Sequence, residues 1–421
     1  IKTSNNIYRI RSLFPTWQPA LRLGFGMQTS TKQKVFLMPF VAYNQYDSWM
    51  LGIALHNIQF PNKKFQYVFA PMFSTSSSTV SGSGGISYTF LQNKRLKEIC
   101  VGLQGRTFLE QKNNVNIAEP LFLRYVKLMP FAHFTWKQRN TRSTIQRNLL
   151  VRSVFTNNQN FTYTLDPVDS LFRPRKETGK TNYFLHTAFQ HIDCRTFHPY
   201  SYLIQLEGNQ HYLKLSTEAN IRIDYYKKNK AFYARLFAGK FISLQNNTNE
   251  LLLRNQYLQT TFTAQNDRLY DHVFIGRNEQ NGLLSKQIAL QEGGFKIASN
   301  LLTTPIGQSD NWLAAMNFQT DLPFSFPIKM RFFIDLGTFA DAGKINTSGN
   351  KLLYDGGLSL YLFKELIVMH APLIMSKDFQ DYTKSIYPKN RWMQTMSFQI
   401  NLQKIQWTNT QKYWMKLFSL Q

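Results

Sequence analysis

The chain has 421 residues, with 49 lysines and arginines against 24 aspartates and glutamates, a formal charge of +25 and a sequence pI near 9.9. With 43% hydrophobic, 15% aromatic and 17% charged residues it can bury a large core, which excludes both a small disulfide scaffold and a disordered chain. A membrane-spanning helix needs roughly 20 mostly apolar residues, and the longest charge-free run, 65–93, is instead full of Ser, Thr and Gly.

The first residue is Ile1, and 1–14 lacks an apolar signal region, so the chain is expected to be processed or excised from a longer protein. The expected organisation is a lead-in over 1–16, one body over 17–407 and a tail over 408–421. The body opens with an alternation of period two: Leu21, Leu23, Phe25 and Met27 against Arg22, Gly24, Gly26 and Gln28. Further strands are expected near 34–45, 49–58, 64–74, 80–92, 97–109, 121–137, 144–155, 181–192 and 200–209. The clearest instance is 213–225, where Leu213, Leu215, Thr217, Ala219, Ile221, Ile223 and Tyr225 oppose Lys214, Ser216, Glu218, Asn220, Arg222 and Asp224. Successive strand side chains point to opposite faces, so this segment has one apolar and one polar face. Its 13 residues exceed the roughly 9 to 11 that a tilted transmembrane strand requires.

Strands are expected next near 230–242, 251–264, 285–298 and 311–321. They are followed by Ile328–Leu336, 352–363, 365–375 and 396–402, where Met396, Phe398, Ile400 and Leu402 alternate with polar residues. The total is roughly sixteen to eighteen. Polar separators such as 45–48, 61–63, 92–94, 227–229 and 346–350 are hairpin chemistry, and long amphipathic helical stretches are absent. The unpatterned segments 157–180 and 266–285 read as long loops, free to extend outward or to fold into a lumen. Trp17, Trp49, Trp136, Trp312, Trp392 and Trp407 all fall near expected strand ends, which is where bilayer interfaces collect aromatics.

If the apolar faces meet lipid, every backbone amide in the bilayer needs a partner, and an open sheet edge cannot supply it. The sheet is therefore expected to close, with the polar faces lining its interior. Arg22, Lys214, Glu218, Arg222, Asp224, Arg235, Lys329, Arg331 and Asp335 are the candidate lumen residues, with Gln399 beside them. Their mixed signs suit either interior salt bridges or a polar channel. The positive excess suits phosphate groups of lipopolysaccharide or acidic partners. Nucleic acid is not an expected partner, because the basic residues are spread over turns and polar faces and form no aromatic-plus-basic platform.

No zinc-peptidase, nucleophile-elbow, Walker or dinucleotide motif occurs, and neither a catalytic residue, a metal site nor a cofactor is expected. His186, His191, Asp193, Cys194 and His198 offer ligand-type side chains, but on a strand His186 and His191 point to opposite faces. Tyr270, Asp271, His272 and Arg277 form a second polar group in an expected loop. Cys100 and Cys194 permit one disulfide at most and have no redox or zinc spacing.

Pro19–Gly26, Pro39–Asp47, Met50–Asn57 and Phe69–Phe73 near the start, with Asp355–Leu358, Ala371–Leu373, Tyr387–Asn390 and Ser397–Leu402 near the end, carry a family resemblance. They resemble the carboxy-terminal outer-membrane barrel of Bacteroidota proteins whose amino-terminal part is a metallopeptidase of the M1 (gluzincin) type. The last hundred or so residues, including Phe333-Ile334-Asp335-Leu336-Gly337, more distantly resemble surface-antigen barrels of the Omp85 kind. That family's Arg-Gly-Phe lumen motif is absent, and Phe274-Ile275-Gly276-Arg277 stands in roughly its region. The first resemblance implies a barrel that anchors a peptidase lying upstream, whose zinc motif this chain lacks; the second implies an assembly or transport channel.

The expected fold is thus an all-β antiparallel transmembrane barrel of about sixteen strands in a bacterial outer membrane. Its expected role is to span and anchor a periplasmic, peptidase-like region or a larger assembly, in contact with outer-membrane lipid, lipopolysaccharide and other membrane or periplasmic proteins. A porin-like or Omp85-like channel is the alternative, and a soluble all-β module the third reading.

Overall fold

The computed structural model describes residues 20–24, 26–27, 34–60, 63–92, 94–226, 230–244, 254–298, 305–323, 328–387, 389 and 391–402. The expected lead-in and tail, Trp17, Trp407 and the 227–229 turn lie outside the described residues.

Among the described residues the chain is all-β and mostly antiparallel, built on one sheet of 17 strands. From Lys34–Asn44 to Ser397–Ile400, successive long strands pair antiparallel in chain order. Ala20–Leu23 joins this series in parallel, with Arg22 opposite Phe36. Helices at Ala342–Ile345, Lys377–Ile386 and Arg391–Thr395 sit in connections. No described helix is long and apolar enough to cross a membrane.

The period-two pattern becomes two unlike faces. In Phe65–Ser74, Gln66, Val68, Ala70, Met72 and Ser74 are buried, whereas Phe65, Phe69 and Phe73 are about half exposed. In Tyr212–Asp224, Lys214 and Ser216 are buried while Leu215, Ile221 and Ile223 are exposed. Charged side chains face inward and aliphatic and aromatic ones outward, the reverse of a sheet that faces water. The exposed apolar face recurs on many strands, including Leu51, Leu103, Ile204, Leu236, Met316 and Phe332.

Two expectations are corrected. Residues 157–180 are not a loop: Ile145–Leu165 and Phe172–Asp193 form one hairpin whose pairing continues through Leu165 opposite Phe172. A bulge between Asn157 and Gln159 interrupts the alternation there, which hides the strands from a periodicity argument. At that bulge Gly179 passes the Asn158 carbonyl so closely that a Cβ would sit 1.5 Å from its oxygen. The second correction concerns 251–264 and 285–298. Their described parts are not strands of the large sheet; they belong to a segment packed on its inward face, with only two-residue ladders of their own. Leu258, Leu269, Phe295, Ile297 and Ile306 of this segment join Met129, Val154, Phe184, Phe237 and Leu313 of the sheet in the largest apolar core.

Candidate functional site

The inserted segment leaves the sheet after Ala231–Ser243 and returns at Trp312–Asp321. Its sequence explains why it stays inside. Apolar residues at 258, 262, 269, 274, 288, 295, 297 and 306 are interspersed with Asp267, Arg268, Asp271, Arg277, Glu292 and Lys296. Charged groups taken from water need opposite charges in place, and the inward faces of the strands supply them.

Asp271 lies between two wall cations. Its carboxylate accepts from Lys127 Nζ at 2.6 Å and from Arg152 Nη1 and Nη2 at 2.9 and 2.6 Å. The Lys127 and Arg152 side chains are only 2% and 4% exposed. Burial alone would raise the Asp271 carboxyl, but Arg152 and Lys127 outweigh it and hold the group well below the usual carboxylate range. Further along, Arg268 meets Glu207 at 2.5 Å and Lys214 meets Glu292 at 2.7 Å. Lys296, fully buried, reaches both oxygens of Asp335 at 2.7 and 2.8 Å. The backbone amides of Lys296 and Ile297 donate to Asp355 at 3.1 and 2.9 Å.

Ring stacking, hydrogen bonds and one further ion pair add to these contacts. Tyr270 stacks on Tyr125 with centroids 4.1 Å apart and donates to Glu110 at 2.7 Å; burial pushes the Tyr270 hydroxyl well above its ordinary value. Arg277 pairs with Asp267 at 2.7 Å and lies 4.3 Å from the Tyr270 ring. The Gln45 amide donates to the Ile275 carbonyl at 2.9 Å, and Ala298 donates to Thr395 at 3.1 Å. Gln287 of the segment also bridges to Phe398 of Ser397–Ile400, so residues at both ends of the strand series touch the segment.

Beside the segment, on the inward face of the sheet, lies a cavity of about 1310 Å³. Asp271, Phe274 and Glu292 of the segment roof it, while Lys64, Gln146 and Asn401 mark the other end. Its walls are rich in neutral amides, among them Gln66, Gln190 and Gln205, with Phe131 and Leu203 between them. The arrangement holds the inserted segment against the sheet by charge and packing. Among the described residues no group of three or more His, Cys, Asp or Glu is placed to hold a metal ion.

The sequence candidates separate into three sets, with Arg22 outside them. Lys214 and Asp335 contact the inserted segment directly, through Glu292 and Lys296. Glu218 and Arg235 pair with each other at 2.6 Å across adjacent strands, and Arg235 also donates to Asn317 at 2.8 Å. Arg222 pairs with Asp224 at 2.6 Å, Arg331 with Asp321 at 2.9 Å and Lys329 with Glu365 at 2.7 Å, all near one rim. Arg22 is exposed on Ala20–Leu23 and takes no part in these pairs.

Arg152 and Glu207 were within reach of the same parity rule, since each lies on the polar face of an expected strand; Lys127 was not, because its side of 121–137 also carries Leu123, Tyr125, Met129 and Phe131. Glu292 and Lys296 were not, because their segment reads as strand. The Tyr270–Arg277 group lies in the inserted segment, where Tyr270 and Asp271 meet the wall. The histidine cluster divides as expected: His186 accepts from Arg152 Nε at 3.1 Å inside, while His191 stacks on Tyr202 on the opposite face.

No family model and no curated protein matches the sequence. Among solved structures, the chain is similar to BamA from Haemophilus ducreyi lacking POTRA domains 1–3, at 9% identity and TM-score 0.43, covering 84% of this chain and 71% of that one. It is also similar to CdiB from Acinetobacter baumannii, at 12% identity and TM-score 0.37, covering 81% of this chain and 56% of that one, little more than half its length.

Proposed function

We propose that the chain is a bacterial outer-membrane β-barrel, closed from its antiparallel strands, that spans the bilayer with its lumen stoppered by its own inserted segment. Its role is to anchor, at the rim where the cavity opens, a periplasmic region or a larger membrane-protein assembly. A peptidase-like region of the M1 type is the anchored partner that the sequence resemblance implies. Lipopolysaccharide faces the opposite rim, from which the inserted segment and the long Ile145–Asp193 hairpin extend.

The observation that carries this reading is the set of buried ion pairs between stopper and wall: Asp271 with Lys127 and Arg152, Glu292 with Lys214, and Lys296 with Asp335. Removing one partner of such a pair leaves an uncompensated buried charge, so each pair resists withdrawal of the segment. That favours a sealed span over a porin. A second reading, an assembly or transport channel, is favoured by the cavity, which offers a sizeable vestibule beneath the stopper.

Planar-bilayer recording of the full chain separates the two. The sealed barrel is expected to be electrically silent, and Asp271→Asn with Glu292→Gln is expected to open it, because Lys127 and Arg152 lose their counter-charge and Lys214 keeps only Glu207 at 3.9 Å. Steady ohmic conductance of the unaltered protein, unchanged in that variant, overturns the stoppered-anchor reading.

A further inference from the structure

The turns of the sheet differ by side. The connections after Ser48–His56, Val80–Leu91, Leu121–Trp136, Phe172–Asp193, Tyr212–Asp224, Trp312–Asp321 and Leu353–Leu362 share the rim opposite the exit of the inserted segment. Glu365 is the only acidic residue among the described residues of those turns, and it is held by Lys329 at 2.7 Å. Three of them carry Lys94, Arg95, Lys137, Arg139, Arg142 and Arg195. These three turns are contiguous: the Lys137 amide donates to the Arg95 carbonyl at 3.0 Å, and the Cys194 amide to the Thr144 carbonyl at 3.0 Å. The acids nearest the arc lie within the strands. Asp193 is buried, takes the Thr144 hydroxyl at 2.6 Å and lies 3.6 Å from Arg195 Nε, and Glu98 is half-buried. On the opposite rim the turns instead hold Asp47, Glu119, Asp166, Asp169 and Asp341.

Just inboard of the arc, the outward face is aromatic. Trp136 meets Phe189 edge-on at 5.9 Å, His191 lies between Tyr202 at 4.7 Å and Tyr200 at 5.8 Å, and the Arg195 guanidinium lies 5.0 Å from the Tyr200 ring. His191 is 6% exposed, and neither ring nitrogen has a hydrogen-bond partner. Cations above a belt of Trp and Tyr match the depth profile of a lipid headgroup layer, with phosphate outermost and rings at the acyl boundary.

We propose that this arc docks anionic phospholipid headgroups of the leaflet at the short-turn rim. The proposal rests on the membrane-barrel reading, and it assigns the chain's positive excess to the leaflet on that side. Charge complementarity selects the occupant, because the arc is cationic while the aromatic face beneath it requires an acyl chain. An acidic peptide or a free anion satisfies only the first condition.

The full chain, folded in a neutral detergent, is titrated with phosphatidylglycerol or phosphatidylcholine and the bound lipid counted by native mass spectrometry. The unaltered protein is expected to retain phosphatidylglycerol preferentially. Lys94→Gln/Arg95→Gln/Arg139→Gln/Arg142→Gln is expected to lose at least about tenfold of that affinity, since each cation at an anionic surface contributes roughly a fivefold factor. Lys344→Gln/Lys351→Gln/Lys377→Gln/Lys384→Gln removes the same charge from the opposite rim and is expected to change little. Equal loss in both variants, no preference in the unaltered protein, or displacement by millimolar inorganic phosphate or polyglutamate overturns the proposal. Heat-modifiable gel mobility is read on every sample. Its absence from the unaltered protein sinks the barrel reading, whereas its presence without lipid preference sinks only the docking surface. If the quadruple variant loses that mobility, the two double variants are measured, each expected to lose a part of the affinity.

Discussion

Asp271 is the residue on which the stopper turns. It brings one negative charge to two buried cations on neighbouring strands, and neither Lys127 nor Arg152 is wet enough to tolerate its removal. Asp271→Asn keeps the shape and deletes the charge; the expected loss is about 3–5 kcal/mol, the range for breaking a buried pair from one side. Asp381→Asn, whose partner Lys384 is half exposed at 3.6 Å, is expected to change stability too little to resolve. Urea unfolding of the detergent-folded protein checks both. The pH dependence has a definite sign. The folded Asp271 carboxyl titrates below its ordinary value of 3.8, so its stabilisation is complete above about pH 4 and is lost as pH falls through the folded value. The unaltered protein is therefore expected to lose more stability than Asp271→Asn between roughly pH 5 and pH 2. Parallel curves for the two proteins would show that Asp271 is not the group responsible.

At the scale of elements, the long hairpin makes the next prediction. Neighbouring strands pair with it only up to Asn158 on one side and from Leu185 on the other. The tip between them is a two-stranded ribbon with few partners, and such ribbons are marginal alone. Brief trypsin treatment is expected to cut after Arg175, Lys176 or Lys180, all exposed, while the rest keeps its heat-modifiable mobility. First cleavage within Ala231–Ser243 instead would mean that the sheet is less protected than the hairpin tip. This element also marks where sequence reading stops. Strands such as Phe65–Ser74 and Tyr212–Asp224 were legible because an uninterrupted alternation records two different surroundings, one on each face. The bulge at Asn157 shifts the phase, and a ribbon wet on both faces has no second surrounding to record. The inserted segment misleads for the converse reason. It is apolar on whichever side meets the wall, and residues such as Phe262, Ile288 and Ile297 imitate a strand. Candidate lumen charges came out of parity alone; their partners did not, because Glu292 and Lys296 meet Lys214 and Asp335 only through the tertiary path of the segment.

At the scale of the whole molecule, the inward charges and outward apolar residues are two halves of one arrangement. Burying Lys127, Arg152, Lys214 and Asp335 costs desolvation that the stopper's opposite charges offset. The outward Leu, Ile and Phe rows are disfavoured in water and favoured in hydrocarbon. Leu236 tests the second half. It is 42% exposed on the outward face, lies midway along Ala231–Ser243 and is flanked by Ala219 and Met316 on the adjacent strands. An arginine at the midplane of a lipid-facing strand costs about 2–4 kcal/mol, falling toward zero near the interfaces. Leu236→Arg is therefore expected to lower folding stability in phospholipid vesicles by that amount. Phe232→Arg, nearer the rim of the same face, is expected to cost about 0–1 kcal/mol, and Gln205→Arg, on the cavity wall, is expected to leave insertion intact. A solvent-exposed sheet has no reason to grade the first two by depth. If Leu236→Arg and Phe232→Arg fold equally well, or if both leave the protein soluble and monomeric without amphiphile, the outward face does not meet lipid and the closed membrane barrel fails with it.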